Sequence, residues 1–217
     1  MKTINTKLEE IDALINGVIE EKGVGISVSI VKNGKLIFAK GYGYAQLEPT
    51  PKLIDENTYM SIQSVTKNFV AVCMMKLVEE DLIQLDKPIV HYLPYFRTKE
   101  KDSSDHITVK QVLSHTSGFP ADLGIANLVA PNVREIYSDT PTEWSEALAH
   151  YRLKEEEVTS IHSREDITRW FRKVELDYPP GHTWNYCTDA YVILGDLIEK
   201  VTGESWESFL QNRFITP

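Results

Sequence analysis

The sequence predicts a mixed α/β fold of the α+β kind, with a short antiparallel sheet flanked by helices and an all-helical subdomain. Two observations support this fold class. Asn33-Gly34 stands between two apolar segments, which is the pattern of a β-hairpin. After that turn, apolar residues recur at helical spacing in several segments. With 217 residues, of which 42% are hydrophobic, the chain is long enough to bury a core.

Residues 1–60 are expected to supply the N-terminal helix and the hairpin of the α/β part. Apolar residues at helical spacing, Leu14 among them, predict an amphipathic helix over residues 4–22. Residues 26–30 and 36–39 form the two predicted strands. A sheet of two strands is marginal and has open edges, so further strands are expected from a missing part of the fold or from a second chain.

Residues 61–217 are expected to form the helical subdomain, in which local signals mark most helix ends. Thr108 with Gln111 forms a capping box, and Gly203 stops the last strongly apolar helix. The predicted elements are a helix over 64–77, a connection over 82–92, a short helix over 109–114, a loop-rich or short-helical insertion over 121–162, a helix after Ser163 that contains Ile167, Trp170 and Phe171, and a helix over 191–201.

Composition excludes several classes of function. The formal net charge of −9 argues against a protein that binds the phosphate backbone of a nucleic acid. Cys73 and Cys187 show no metal-ligand or redox spacing, and Cys73 is expected to be a buried free thiol. No apolar run is long enough to span a membrane, and no export signal is evident, so the cytoplasm is the expected location. No cofactor or metal is expected.

A serine and a lysine three residues apart stand at the start of the apolar segment 68–77, as Ser64-Val65-Thr66-Lys67. If this segment is helical, the hydroxyl and the amine share one face and are close enough to interact. A hydroxyl beside an amine that can take its proton is the minimal machinery of serine acyl transfer. The alternative for this spacing alone is an N-cap serine with an exposed lysine one turn later.

The same spacing occurs a second time, as Ser29-Ile30-Val31-Lys32. That copy lies in a predicted strand, where residues three apart point to opposite faces. Its hydroxyl and amine are therefore not expected to cooperate, and the spacing alone does not establish a catalytic site.

Two further segments resemble one family, in the same order along the chain. Residues 107–120 read ITVKQVLSHTSGFP and resemble the L-L-x-H-T-S-G-L segment of class C β-lactamase-like proteins. Residues 180–186 (PGHTWNY) and 191–203 (YVILGDLIEKVTG) resemble the same proteins' PG…F-x-Y-S-N…Y-x-L-L-G-x-I-I-E-x-V-T-G pattern. The chain is thereby identified as a member of the serine β-lactamase and penicillin-binding-protein superfamily, in the branch of class C β-lactamases, D-aminopeptidases and esterases. The resemblance implies a β-lactamase/transpeptidase-like fold, with the C-terminal strands of its sheet missing from this chain.

The resemblance also implies catalytic roles for three side chains. Ser64 would be the nucleophile at a helix N-terminus, where its own backbone N–H would form half of an oxyanion hole. Lys67 would act as a base once it has lost or shared its proton, and Tyr186 would relay a proton to the leaving group. Without the resemblance, a half-buried core tyrosine is the alternative for Tyr186. His115 is expected to support local structure, since no Gly-x-Ser-x-Gly turn and no acid partner accompany it.

The sequence departs from the family pattern at Thr188, the expected substrate-binding position. Members usually carry asparagine two residues after the tyrosine, where its amide orients the lysine and the acyl-amide group of the substrate. Thr188 offers only one short hydroxyl and can instead cap the following helix. The substitution disfavours recognition of β-lactams or peptide amides and leaves ester hydrolysis comparatively favoured.

The predicted function is a serine hydrolase acting on a small ester, amide or short peptide through an acyl-Ser64 intermediate. The alternative is a non-catalytic β-lactamase-like module with a binding or regulatory role. Family members continue beyond Pro217 with strands that line the site and donate the second oxyanion N–H. A missing segment, a second chain or a homo-oligomer is therefore expected to complete the sheet.

Overall fold

The computed structural model describes residues 4–22, 25–130, 133–138 and 140–216. They fall into two compact units, one ending at Ile62 and the other beginning at Gln63.

The N-terminal unit contains one helix and two small antiparallel sheets. Its elements are α1 (Ile4–Lys22), β1 (Ile26–Lys32), β2 (Lys35–Tyr42), β3 (Tyr44–Gln46) and β4 (Lys52–Leu53). Strand β1 pairs with β2, and β3 pairs with β4. Between β1 and β2, Asn33 and Gly34 have φ angles of 50° and 71°, the left-handed values that a tight hairpin turn requires. The predicted hairpin is confirmed, whereas the β3–β4 pair was not predicted because its strands are too short to show alternation.

Asp12 connects α1 to β2. Its carboxylate accepts hydrogen bonds from Lys40 Nζ at 2.5 Å and from Tyr42 Oη at 2.7 Å. These bonds lower the pKa of Asp12, while burial and the Asp12 carboxylate raise the pKa of Tyr42 to about 12. The prediction that Leu14 belongs to the apolar face of α1 is wrong, since Leu14 is 69% exposed. Ile11, which shares a helix face with Leu14 by its spacing of three residues, and Ile15 are each partly buried.

The C-terminal unit is built of helices. Its α-helices, in chain order, are α2 (Thr66–Glu79), α3 (Ile89–Tyr92), α4 (Lys101–Ser104), α5 (Val109–Leu113), α6 (Ile125–Leu128), α7 (Val133–Ile136), α8 (Pro141–Tyr151), α9 (Glu155–Thr159), α10 (Arg164–Trp170), α11 (Ala190–Thr202) and α12 (Trp206–Leu210). A short 3-10 turn, Gln63–Val65, precedes α2, and a second, Phe171–Lys173, follows α10.

Helix α11 lies at the centre of this unit and packs against α2, α5, α10 and α12. Its residues Ile193 and Leu197 are fully buried. A second part of the core is aromatic, where Phe119 and Phe171 meet at 4.9 Å between ring centroids and Phe96 lies 6.3 Å from each. Each such side chain contributes about 1.5–3 kcal/mol when buried, and the aromatic residues belong to the same core as Ile193 and Leu197 of α11.

The local end signals of the predicted helices are confirmed. Thr108 and Gln111 form both hydrogen bonds of a capping box at α5. Ser163 caps α10 by accepting the backbone N–H of Asp166, and Gly203 ends α11 with a φ of 75°. These outcomes follow from chemistry within three or four residues, which a sequence displays directly.

The structure refines the predicted elements in three places. The insertion over 121–162 is short-helical, one of the two predicted alternatives, and contains α6 to α9. Among these helices, the 11-residue α8, which buries Leu148, was not predicted as a separate element. Residues 131, 132 and 139 lie outside the described residues. The connection over 82–92 ends in the short helix α3. Phe171 follows α10 as the first residue of a 3-10 turn, in which its carbonyl accepts the backbone N–H of Val174, three residues later, at 2.8 Å.

Candidate active site

Ser64 lies in the 3-10 turn before α2, and Lys67 lies in the first turn of α2. Lys67 Nζ donates a hydrogen bond to Ser64 Oγ at 3.2 Å, so the predicted contact between hydroxyl and amine is confirmed. The residue at the N-cap position of α2 is Val65, and no side chain caps the helix. The reading of Ser64 as an N-cap is therefore wrong, and its hydroxyl is turned to Lys67.

The residue before Ser64 has an unusual backbone conformation. Gln63 has a φ of 47°, in the left-handed region that non-glycine residues rarely occupy. Such a conformation costs on the order of 1–3 kcal/mol and persists where the surroundings over-determine it. The sequence carried no signal for it, because glutamine shows no preference for left-handed backbone.

Tyr186 contacts Ser64 although the two residues are far apart in the sequence. Its Oη donates a hydrogen bond to Ser64 Oγ at 2.8 Å, across 122 positions of sequence. Lys67 Nζ lies 4.8 Å from the centroid of the Tyr186 ring. The three predicted catalytic side chains therefore lie together, and Ser64 Oγ is hydrogen-bonded to both Lys67 and Tyr186.

The surroundings of Tyr186 change its acidity. Burial acts to raise the pKa of this phenol, whereas hydrogen bonding with Lys67 and Ser64 and the positive charge of Lys67 act to lower it. The lowering prevails, with a further contribution from Thr188. A phenol of lowered pKa gives up its proton more readily and can then accept one from the serine hydroxyl.

The His115-Thr116-Ser117-Gly118 segment holds the loop that leads to Tyr186. The carbonyl of His115 accepts the N–H of Asn185 at 2.8 Å, and the carbonyl of Thr116 accepts the N–H of Gly181 at 2.7 Å. Gly118 has a φ of 88°, and a Cβ there would lie 2.0 Å from a carbonyl oxygen of the neighbouring loop. Only glycine permits this approach, so both sequence segments are parts of one docked pair.

His115 supports this arrangement with its ring. Its Nδ1 accepts the backbone N–H of Cys187 at 3.3 Å, and its ring centroid lies 4.4 Å from Tyr186 and 5.1 Å from Tyr191. Burial, with the charge of Lys67, lowers the pKa of His115, which favours the neutral imidazole that this contact needs. The geometry is consistent with the predicted supporting role.

Thr188 lies two residues before the start of α11 and lines a cleft together with Ser64 and Lys67. The N-cap position of α11 is Asp189, and no side chain caps this helix, so the predicted capping role of Thr188 is wrong. The cleft has a volume of about 540 Å³ and also contacts Asn127. This volume is in the usual range for a small-molecule site.

Asp189 has a structural role that the sequence did not reveal. Its side chain is 1% exposed and accepts the backbone N–H groups of Ala126 at 2.7 Å and Leu123 at 3.2 Å. It thereby holds the start of α6, whose residue Asn127 lines the cleft. Burial raises the pKa of Asp189, although the two N–H donors oppose this. In sequence, an aspartate before an apolar helix resembles an ordinary cap, and its distant partners leave no signal.

Both cysteines are buried free thiols, as expected for Cys73. Burial raises the pKa of Cys73 to about 11 and that of Cys187 to about 12. Within the described part of the chain, no three histidine, cysteine or acidic side chains are grouped as a metal ion would require. None of the described helices combines the length and apolar character needed to cross a bilayer.

Known proteins share both sequence and architecture with this chain. A family model described as Beta-lactamase matches residues 11–217. Protein Flp from Staphylococcus aureus (strain COL) is 29% identical over 215 residues, covering 98% of this chain and 37% of Flp. Esterase EstB from Burkholderia gladioli is 26% identical over 196 residues, covering 89% of this chain and 45% of EstB. The chain spans less than half the length of these two relatives.

A solved structure shares the fold of this chain. The octameric penicillin-binding protein homologue from Pyrococcus abyssi matches with a TM-score of 0.70 at 28% identity. The match covers 96% of this chain and 42% of that one.

Proposed function

Since this chain belongs to the Beta-lactamase family and has the β-lactamase/transpeptidase-like fold, we propose that it supplies the nucleophile of a serine hydrolase that cleaves an ester or amide through an acyl-Ser64 intermediate. The observation that carries the proposal is the pair of hydrogen bonds that Ser64 Oγ accepts from Lys67 and Tyr186. A serine hydroxyl at ordinary acidity is a weak nucleophile and needs such neighbours to take its proton.

Acylation begins when Ser64 Oγ attacks the carbonyl carbon of the substrate and forms a new C–O bond. The serine proton passes to whichever of Lys67 or Tyr186 is unprotonated, and the carbonyl oxygen becomes an oxyanion. The backbone N–H of Ser64 is one donor for that oxyanion. When the intermediate collapses, the bond to the leaving group breaks, and the departing alcohol or amine takes a proton from Tyr186.

Deacylation reverses these roles with water. A water molecule loses a proton to the Lys67–Tyr186 pair and attacks the acyl carbon, and the Ser64 C–O bond then breaks. Ser64 Oγ recovers its proton from the pair, and a carboxylic acid is released. Lowering of the Tyr186 pKa supports this exchange, since proton transfer is most efficient when the pKa of the relay approaches the working pH.

The preferred substrate is an ester. Thr188 occupies the position where the family pattern has asparagine, and its single short hydroxyl cannot reach a substrate amide through two separate atoms as the oxygen and nitrogen of a carboxamide do. Esters also have a better leaving group than amides and need less proton transfer to it. The relative EstB, named an esterase, agrees with this preference.

Covalent labelling tests the proposal. The chain is incubated with a fluorophosphonate, which forms a stable adduct with an activated serine, and the intact mass is measured. We expect one adduct in the wild type and in Ser29→Ala, whose serine belongs to the second Ser-x-x-Lys copy in β1, and none in Ser64→Ala. An adduct that persists in Ser64→Ala would contradict the assignment, and its absence from all three proteins would favour a non-catalytic binding module.

A further inference from the structure

The cleft beside Ser64 adjoins a second cavity of about 370 Å³. Four residues line both spaces, namely Ala126, Ala130, Arg164 and Val192. The second cavity lies between α10, α11 and the segment that contains α6. Because the two spaces share these residues, they lie side by side. A molecule attached to Ser64 in the cleft can therefore extend towards the second cavity.

The far cavity presents mainly aliphatic side chains. Val129, Ile161 and Ile167 line it together with Val192. Its polar Ser163 is already engaged, because the hydroxyl donates to the Asp166 carboxylate at 2.8 Å and accepts the Asp166 N–H at 3.1 Å. The exposed His162 also lines this space, next to Ser163. A ligand that lies away from this polar side meets aliphatic surface, and the serine offers it no unpaired donor.

The one cation shared by the two spaces is neutralised. The guanidinium of Arg164 donates hydrogen bonds to Glu199 and Glu207 and lies 5.9 Å from the centroid of the Trp206 ring. Its aliphatic stem crosses α11 at Gly195, where a Cβ would be 3.0 Å from Arg164 Cδ. With two carboxylates as partners, Arg164 presents its stem as a wall and does not select an anionic ligand.

We propose that this second cavity binds an unbranched aliphatic acyl chain of a neutral ester, longer than acetyl, while the ester carbonyl lies at Ser64. The inference rests on the proposed function for the position of the carbonyl, but the cavity itself can be tested without catalysis. Each methylene that leaves water for apolar surroundings improves binding by about fourfold at most. A chain with four more methylenes than acetyl is then favoured by an amount on the order of 10²-fold.

The first test compares kcat/KM for p-nitrophenyl acetate and p-nitrophenyl hexanoate. Ala130→Phe and Val192→Phe fill the junction from two different elements, so failure of one variant to fold does not end the test. Ala149→Phe adds the same bulk as Ala130→Phe on the exposed side of α8 and is the matched control. We expect a hexanoate preference on the order of 10²-fold in the wild type and the control, and a preference near one in both filled variants. An unchanged preference in the filled variants overturns the proposal.

The second test does not need a working nucleophile. Binding of 2-octanone, a neutral ligand with an aliphatic tail, is followed in Ser64→Ala by the NMR shifts of the Val129, Ile161 and Ile167 methyl groups. We expect saturable shifts that disappear when Ala130→Phe is added and persist when Ala149→Phe is added. No shift in Ser64→Ala overturns the cavity assignment even if Ser64 is acylated, whereas binding without any acylation contradicts only the proposed function.

Discussion

Removing one hydroxyl from each of two tyrosines separates a catalytic contact from a structural one. Tyr186 and Tyr191 lie against the same imidazole, with ring centroids 4.4 Å and 5.1 Å from His115. Their hydroxyls have different partners, since Tyr186 Oη donates to Ser64 Oγ at 2.8 Å and Tyr191 Oη donates to the carbonyl of Leu113 at 2.7 Å. The variants Tyr186→Phe and Tyr191→Phe are therefore a matched pair.

The structure gives Tyr186→Phe a small effect on stability and a large one on rate. Phenylalanine keeps the ring contacts with His115 and with Lys67, so about 0.5–1.5 kcal/mol of unfolding free energy is at stake in one hydrogen bond. Loss of a proton relay lowers the rate of Ser64 labelling by about 10²–10⁴-fold. That range corresponds to about 3–5 kcal/mol of activation free energy, well above the loss of stability.

Tyr191→Phe is expected to show the reverse pattern. The carbonyl of Leu113 loses a partly buried donor, which costs about 1–3 kcal/mol of unfolding free energy. No proton of the reaction passes through this hydroxyl, so the labelling rate should change by less than about tenfold.

Two measurements on each protein decide the matter, namely urea unfolding and the rate of fluorophosphonate labelling followed by intact mass. Unfolding transitions with equal slopes would show that the folded states remain comparable. If both variants lowered the labelling rate to the same extent, or if Tyr186→Phe left it unchanged, the assignment of Tyr186 as the proton relay would be refuted.

Three further outcomes follow from the same geometry. The pKa of His115 is lower in the folded state than its ordinary value of about 6.5, so the neutral imidazole contributes fully to stability above pH 6.5 or so. This contribution is lost as the pH falls through the folded-state pKa. Urea unfolding at several pH values should show the loss in the wild type and not in His115→Gln. The pKa of Asp189 is higher in the folded state than its ordinary value of about 3.8, so its contribution to stability is complete below pH 3.8 or so and is lost as the pH rises through the folded-state pKa. In the same assay, the wild type should lose stability relative to Asp189→Asn as the pH rises between these two values. Thr188→Asn supplies the carboxamide of the family pattern and should raise kcat/KM for an anilide relative to a p-nitrophenyl ester by about tenfold, whereas an unchanged ratio would argue against substrate contact at this position.

Features set by neighbouring residues could be predicted from the sequence. The turn at Asn33-Gly34, the capping box at α5 and the glycine end of α11 each depend on chemistry within a few positions. The contact between Ser64 and Lys67 belongs to the same class, because one helical turn brings residues three apart together. The left-handed backbone of Gln63 is one local feature that escaped prediction, since its conformation is imposed by what surrounds it.

Features that join distant segments could not be predicted from the chemistry of single residues. Asp189 and its two backbone donors are 63 and 66 positions apart, and no local pattern links them. The second cavity depends on side chains from α10, α11 and the α6 segment, so its shape exists only after these elements have packed. Helix α8 was missed for a different reason, because charged and polar residues between its apolar positions obscured a regular helical face.

By itself, the sequence determined the family, the hairpin and helix ends, and the serine–lysine pair, because motifs and local hydrogen bonds depend only on residues that are close together in the sequence. Tyr186 was expected at the site from the family resemblance, and the tertiary structure showed that its hydroxyl donates directly to Ser64. Only the tertiary structure decided that Asp189 holds α6 and that a largely aliphatic cavity adjoins the cleft. The physical reason is that these contacts depend on how α11 packs against α2 and α10, and that packing is the sum of many buried contacts that no single stretch of residues encodes.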